Sequence, residues 1–250
     1  MTRFISFLKY PFVVIFWLVV WHAASVIIAN SIIIVSPIAA FARLFELAAT
    51  GVFWQSIGES LFRIMLGFVL AMAIGVIMAA LTSRYRFLYT LTLPVFSVMK
   101  SIPVASFIIL AWMWMSSQNL STFIALVTVL PIVYFNTYEG IKTTDAKLLE
   151  MAWVFRVRPH KVIRDIYLPA VLPHVVSAAS SGLGFAFKSG IAAEIIGLAR
   201  GTIGANLHSA RIFLMTADVF AWTIAIVILS YAMEKIFTLM MKKVRHDTKS

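Results

Sequence analysis

The side chains able to do chemistry in this 250-residue chain are few and scattered. The five histidines, His22, His160, His174, His208 and His246, stand far apart without the spacing of a metal site, and no His-Glu-x-x-His occurs. There is no cysteine, which removes disulfides, thiolate nucleophiles, Cys-ligated zinc and iron–sulfur clusters in one step. No Gly-x-x-x-x-Gly-Lys-Ser/Thr phosphate loop occurs, so ATP hydrolysis by this chain is not expected. Ser97-Val98-Met99-Lys100 has a Ser-x-x-Lys spacing, but no His or carboxylate is placed to complete a triad. What remains for function is a path, a partner surface, or both. For a path the candidates are the charges within long apolar runs, Lys100, Lys188 and Glu194.

The elements that carry these residues must be membrane helices. With 62% of residues apolar, 12% charged and a mean hydropathy of +0.96, a compact globule of this size would have too little polar surface to face water. At about 20 residues per span plus connections, the chain holds roughly five to seven helices and no separate soluble catalytic domain. The fold class expected is an all-α polytopic bundle with spans near 12–29, 59–81, 88–115, 121–141, 170–196 and 217–240. The first apolar run is longer than a signal-peptide core and is read as an uncleaved helix. In the second, Gly67, Ala71, Gly75 and Ala79 recur every four residues and predict a close-packing face. Pro94 and Pro103 break the third, with a kink predicted at Lys100-Ser101-Ile102-Pro103.

Six spans put both termini on one side, and the basic residues say which. Arg3, Lys9, Arg84, Arg86, Lys142, Lys147, Arg156, Arg158, Lys161, Arg164, Lys242, Lys243, Arg245 and Lys249 fall on one side, and only Arg43, Arg200 and Arg211 on the other. Cytoplasmic segments near helix ends collect Lys and Arg, so both termini are expected in the cytoplasm of a multi-pass cell-membrane protein. The net charge of +11 is thereby explained by topology, with anionic lipid as a side partner and no nucleic acid.

The cytoplasmic segment 142–169 is the most informative stretch. It reads as two short helices with a turn between them: Leu148, Leu149, Ala152, Trp153 and Phe155 give the first an apolar face, and Val162, Ile163, Ile166 and Tyr167 give one to the second. Pro159 suits the first turn of the second helix. A loop that merely crossed the cytoplasm would have no use for a Trp, a Phe and a Tyr on helix faces, so the pair calls for a groove in the interface or on another protein.

Glu150-x-Ala152, then Ile166-x-Leu168-Pro169, resembles the signature of permease subunits of ATP-binding cassette importers: Glu-Ala-Ala, three residues, Gly, nine residues, Ile-x-Leu-Pro. Met151 replaces the second residue and Arg156 the Gly. The Gly permits a tight turn with positive φ, so Arg156 leaves two readings open, a wider turn or a contact of its own with the partner. Lys100-Ser-Ile-Pro103, Lys188-Ser-Gly-Ile-Ala-Ala-Glu194-Ile-Ile-Gly197, Phe53-Trp54 and Ser60-Leu61-x-Arg63-x-x-x-Gly67 are similar to runs in nitrate, sulfonate and taurine type permeases. Together the resemblance covers about residues 37–240.

The resemblance implies a coupling-helix pair within 146–168 that sits in a cleft of a separate ATPase, with Glu150, Ala152, Arg156, Arg158, Ile166, Leu168 and Pro169 as its coupling residues. Glu150 is the leading candidate for a contact with a basic group. It also implies a second permease copy, an external solute-binding protein, no cofactor on this chain, and ATP with Mg on the partner. Residues 197–216, punctuated by Gly197, Gly201 and Gly204, would help receive the binding protein and close the path.

In that frame Lys100, Pro103, Lys188 and Glu194 become the expected path residues, offering positive potential to a small anion or zwitterion between two copies. A buried Lys within a span costs about 2.5–3.5 kcal/mol on insertion scales, which calls for a structural or functional return. Cross-helix pairs of Lys100 with Glu194 or of Lys188 with Glu139 are the structural alternative. Three regions result: 1–58 with the first helix and an outer loop, 59–240 as the permease core, and 241–250 as a basic tail. A secondary transporter would show an internal repeat and an intramembrane enzyme a convergent catalytic set, and neither is found.

Overall fold

The structure, a computed structural model, describes the backbone of residues 2–247 and the side chains of residues 12–239. Arg3, Lys9, Lys242, Lys243, Arg245 and Lys249, counted above for topology, lie outside the described side chains. Among the described residues every regular element is helical: α1 (Thr2–Ile28), α2 (Pro37–Ala48), α3 (Gly51–Arg84), α4 (Arg86–Ser101), α5 (Val104–Trp112), α6 (Ser117–Lys142), α7 (Ala146–Val154), α8 (Pro159–Val162), a π-helical turn (Ile163–Tyr167), α9 (Leu168–Gly197), α10 (Ile203–Ile212) and α11 (Thr216–Asp247).

The core is built on α6, which packs against α3 on one side and α9 on the other. Small residues bring the backbones together. Gly67, Ala71, Gly75 and Ala79 are all buried on α3, and a Cβ at Gly67 would collide with the Thr122 carbonyl oxygen of α6. The every-fourth spacing predicted this face, since residues i and i+4 share one side of a helix. On α9 a Cβ at Gly190 would come within 2.6 Å of Ile64, so α3 and α9 also touch. Aromatic stacking holds α4 to α6, with Phe96 on Tyr134 at 4.1 Å and Tyr89 on Tyr138 at 4.9 Å between ring centroids.

Among the described residues four helices are long and apolar enough to cross a membrane: Gly51–Arg84, Ser117–Lys142, Pro159–Gly197 and Thr216–Leu239. The pair α4 and α5 makes a fifth only if taken together, and Phe12–Ile28 is a shorter apolar helix. The six spans read from the sequence thus require counting both of these. Where a kink was predicted, α4 and α5 meet at 105°. Ile102 is extended there (φ −73, ψ 130), as the residue before a proline prefers, and Pro103 opens α5.

Two connections are more ordered than a loop reading allows. Part of the stretch 30–58 forms α2, capped by Ser36 and begun by Pro37, and part is the first turns of α3. The second member of the helix pair read in 142–169 is not a separate helix either. Residues 159–167 run without a break into α9 through the π-helical turn, where the Leu168 N–H bonds the Ile163 carbonyl. Pro169 has no N–H for Asp165 and its ring crowds that carbonyl, so a widened turn just ahead of it keeps the helix continuous. The helix α1 is tied in by Trp21, whose Nε1 donates to the Val35 carbonyl at 2.9 Å and whose ring stacks on Phe220 at 5.4 Å.

Candidate functional site

The segment 146–168 presents an apolar surface with almost nothing behind it. Asp145 caps α7 by accepting the Lys147 N–H at 2.9 Å, and Ala152 is the one buried residue of the helix. The larger side chains point outward, with Trp153 82%, Phe155 74% and Val154 67% exposed, and Glu150, Arg156 and Arg158 are exposed beside them. Ile166 is half-buried, while Leu168 and Pro169 are exposed at the start of α9.

The turn after α7 is tight rather than wide. Arg156 takes φ +51, the Val157 N–H bonds the Ala152 carbonyl at 2.9 Å, and the Arg156 N–H bonds the Trp153 carbonyl at 3.1 Å. These two bonds define a Schellman closure, in which the left-handed position normally belongs to glycine. Arginine is held there at a conformational cost on the order of 1 kcal/mol.

The charges within the spans do not pair as proposed. Lys100 ends α4, exposed, with Nζ 5.8 Å from the centre of the Phe135 ring. Lys188 is exposed on α9, in a stripe with Ser177, Ser181 and Phe185. Pro103 is exposed at the α4–α5 bend. Among the described residues the ion pairs are Arg43–Glu46, Arg43–Asp218 and Arg63–Glu59, so neither Lys100–Glu194 nor Lys188–Glu139 forms. Six residues along α9 set Lys188 and Glu194 roughly 120° apart, and Glu194 lies on the face that enters the core. Both lysines are thus exposed on a single chain rather than buried.

Glu194 has partners that the sequence reading missed. It is fully buried, and its Oε2 accepts the Ser60 hydroxyl at 2.7 Å and the Gly204 N–H at 3.2 Å. Ser60 Oγ in turn accepts the Ile203 N–H at 3.0 Å, and Asn206 Nδ2 donates to Ser56 Oγ at 2.7 Å. Signals for it were present in the sequence: Ser56 and Ser60 stand four apart, and Thr202 precedes a helix as a cap residue.

No group of three or more His, Asp or Glu among the described residues could hold a metal ion. A crevice of about 580 Å³ between α1 and α2 is walled mainly by apolar side chains such as Leu18, Phe41 and Phe45, and touches none of the candidate residues. Among the described residues the candidate region consists of exposed apolar side chains and helix contacts. Residues 71–246 match the family of binding-protein-dependent transport system inner membrane components.

The chain belongs to that family. It is a permease subunit of the ATP-binding cassette importer class, as the resemblance in residues 150–169 implied. The permease is similar to the putative aliphatic sulfonates transport permease protein SsuC of Bacillus subtilis, with 27% identity over 218 residues, 86% of this chain and 78% of the relative. It is also similar to the bicarbonate transport system permease protein CmpB of Synechococcus elongatus, with 29% identity over 147 residues, 58% of this chain and 52% of the relative.

Solved structures agree on the helix arrangement. A crystal structure of an amino acid ABC transporter with histidines aligns at TM-score 0.63 and 14% identity, over 83% of the permease and 96% of that chain. An inward facing structure of the MetNI methionine ABC transporter aligns at TM-score 0.53 and 17% identity, over 79% of the permease and 97% of that chain. At these identities the likeness is one of fold.

Proposed function

We propose that two copies of this permease form one pathway for a small anion or zwitterion of the sulfonate, nitrate or taurine kind. A separate ATPase, which carries ATP and Mg, docks on residues 146–168, and an external binding protein delivers the solute. The observation that carries the coupling role is the outward array of Trp153, Val154 and Phe155 beside Glu150, on a helix closed by the Arg156 turn. Large apolar side chains at such exposure are stable only against a partner or a membrane interface. Glu150 supplies a charge for a basic group in the partner's cleft, and Arg158, Ile166, Leu168 and Pro169 complete the face.

The anionic substrate class is supported by two lysines exposed on spans, Lys100 and Lys188, where a lipid contact would be unfavourable and a face shared between copies would not. Relatives named for sulfonates and for bicarbonate, both anions, point the same way. The basic residues collected on the 146–168 side support cytoplasmic termini. The path would change its facing as packed helices shift together, driven from the coupling segment.

The test is extraction of the tagged chain from its native membrane in mild detergent and identification of what co-purifies. An ATPase retained by the wild type and lost with Glu150→Lys supports the reading. A chain that comes out alone, yet transports solute when it is the sole protein in proteoliposomes, would refute it.

A further inference from the structure

The first turn of α10 is docked by side-chain hydrogen bonds. Its first three N–H groups are all satisfied by side chains: Ile203 by Ser60 Oγ, Gly204 by Glu194 Oε2, and Ala205 by the cap residue Thr202 at 3.3 Å. A buried carboxylate facing this end is favoured by the aligned peptide dipoles as well as by the two bonds it accepts. Contact is close enough that only glycine fits at 204, since a Cβ there would collide with the Glu194 Cβ and lie 2.7 Å from the Ile195 nitrogen.

The docking is nevertheless incomplete. Glu194 Oε1 is buried without a partner, although the residue is 0% exposed. One turn along α3 from Ser60, Arg63 bonds Glu59 through Nη2 at 3.1 Å and leaves Nη1 buried and equally unpartnered. Ser60, which bonds Glu194, and Arg63 stand one turn apart on α3, but among the described residues no ion pair joins Glu194 to Arg63. A carboxyl and a guanidinium with one idle atom each, in a low-dielectric setting, are an unused pairing.

The helix α10 is flanked by turns in the left-handed region. The ten-residue helix lies between two left-handed turns, with Leu198 (φ +55) and Gly201 (φ +75) before it and Leu214 (φ +56) after it. Such turns absorb φ/ψ change at element ends.

We propose that Glu194 is a two-position latch: it holds α10 docked in the arrangement seen here, and it transfers to Arg63 when α10 swings away from the end of α9. The exchange replaces the Gly204 N–H by a guanidinium N–H, so the carboxylate is never left bare and undocking is affordable. The assignment of α10 as a moving closure of the path rests on the importer reading above, but the latch itself is a property of this chain.

The chain has no cysteine, so a single introduced thiol is a unique reporter. Ile203→Cys, at a 0% exposed position on α10, is labelled with a soluble maleimide in the purified complex and read as a mass shift of this chain. Leu207→Cys serves as a second reporter. The expected result without nucleotide is slow labelling that Glu194→Gln accelerates by roughly ten-fold or more, the factor for losing hydrogen bonds to a charged group. Ser60→Ala accelerates it in the same direction and replaces Glu194→Gln if that variant fails to fold.

Arg63→Met acts the opposite way and slows labelling, because it removes the partner of the undocked state. Equal rates in wild type and Glu194→Gln, or acceleration by Arg63→Met, overturn the latch. These comparisons need no ATPase. Addition of ATP tests the importer reading separately: labelling that rises with nucleotide links the latch to transport, and an unchanged rate with a co-purified, active ATPase removes α10 from the cycle.

Discussion

Arg43 of α2 grips Asp218 of α11 at two points, with Nε donating to Oδ1 at 2.5 Å and Nη2 to Oδ2 at 3.1 Å. Nη1 donates to Glu46 at 2.8 Å. The Asp218 side chain is 14% exposed and that of Arg43 33%, so this forked pair is stronger than an open-surface contact but remains partly screened. Asp218→Asn is expected to destabilise the fold by about 1 kcal/mol, and the double variant with Arg43→Gln to lose less than the sum of the two. A thermal double-mutant cycle in detergent measures the coupling, and strictly additive losses would show that none exists. The hydrogen bonds to Asp218, then those to Glu46, raise the Arg43 guanidinium above its already high ordinary value. A raised base keeps its stabilisation below the unfolded pKa and loses it only above the folded one, so the guanidinium contribution is flat across neutral pH.

Arg156 is a second place where a substitution has a defined sign. Arg156→Gly relieves the left-handed φ and is expected to stabilise the chain by about 1 kcal/mol. Because Arg156 is exposed on the docking face, the same variant is expected to retain less ATPase on purification. A rise in melting temperature with undiminished ATPase would confine Arg156 to the turn.

Trp153 and Phe155 should act on the partner and not on the fold. They are 82% and 74% exposed, so Trp153→Ser and Phe155→Ser should leave the melting temperature unchanged. If they fill a cleft, each is expected to weaken ATPase binding by about 2 kcal/mol, roughly 30-fold. Pull-down of the ATPase across a dilution series reads this directly.

The helix contacts predict a contrast between two glycines of α3. Gly67→Ala must push α6 away from α3 and is expected to cost about 1–3 kcal/mol or to prevent folding. Gly58 has open space around it, so Gly58→Ala is expected to stabilise by about 0.5–1 kcal/mol through helix propensity. Monodisperse yield and melting temperature separate the two.

Lys188→Met is expected to abolish transport while membrane insertion and ATPase retention persist, and Lys100→Met to reduce it. Full transport by Lys188→Met in proteoliposomes would remove that residue from the path.

Much of this architecture was legible because it rests on local rules. The every-fourth small residues of α3 marked its buried face, and Pro103 marked the α4–α5 break. The size of the bend was not legible, since a proline sets where a helix breaks and its neighbours set the angle. Which of Lys100, Lys188 and Glu194 the single chain buries was not legible for a related reason. Which side of a helix faces the core depends on partners distant in sequence, and Glu194 found Ser60, 134 residues away. The ordering of Arg156 into a glycine-like turn was also beyond local reading, because the spacing permitted a wider loop.

The π-helical turn after α8 gives α9 an unusual reach. From Pro159 to Gly197 the chain is helical for 39 residues, a contour of about 58 Å at 1.5 Å per residue. One end of this shaft bears Ile166, Leu168 and Pro169, and the other bears Glu194. A rotation of one end of this shaft would therefore reach the other without crossing a non-helical connection.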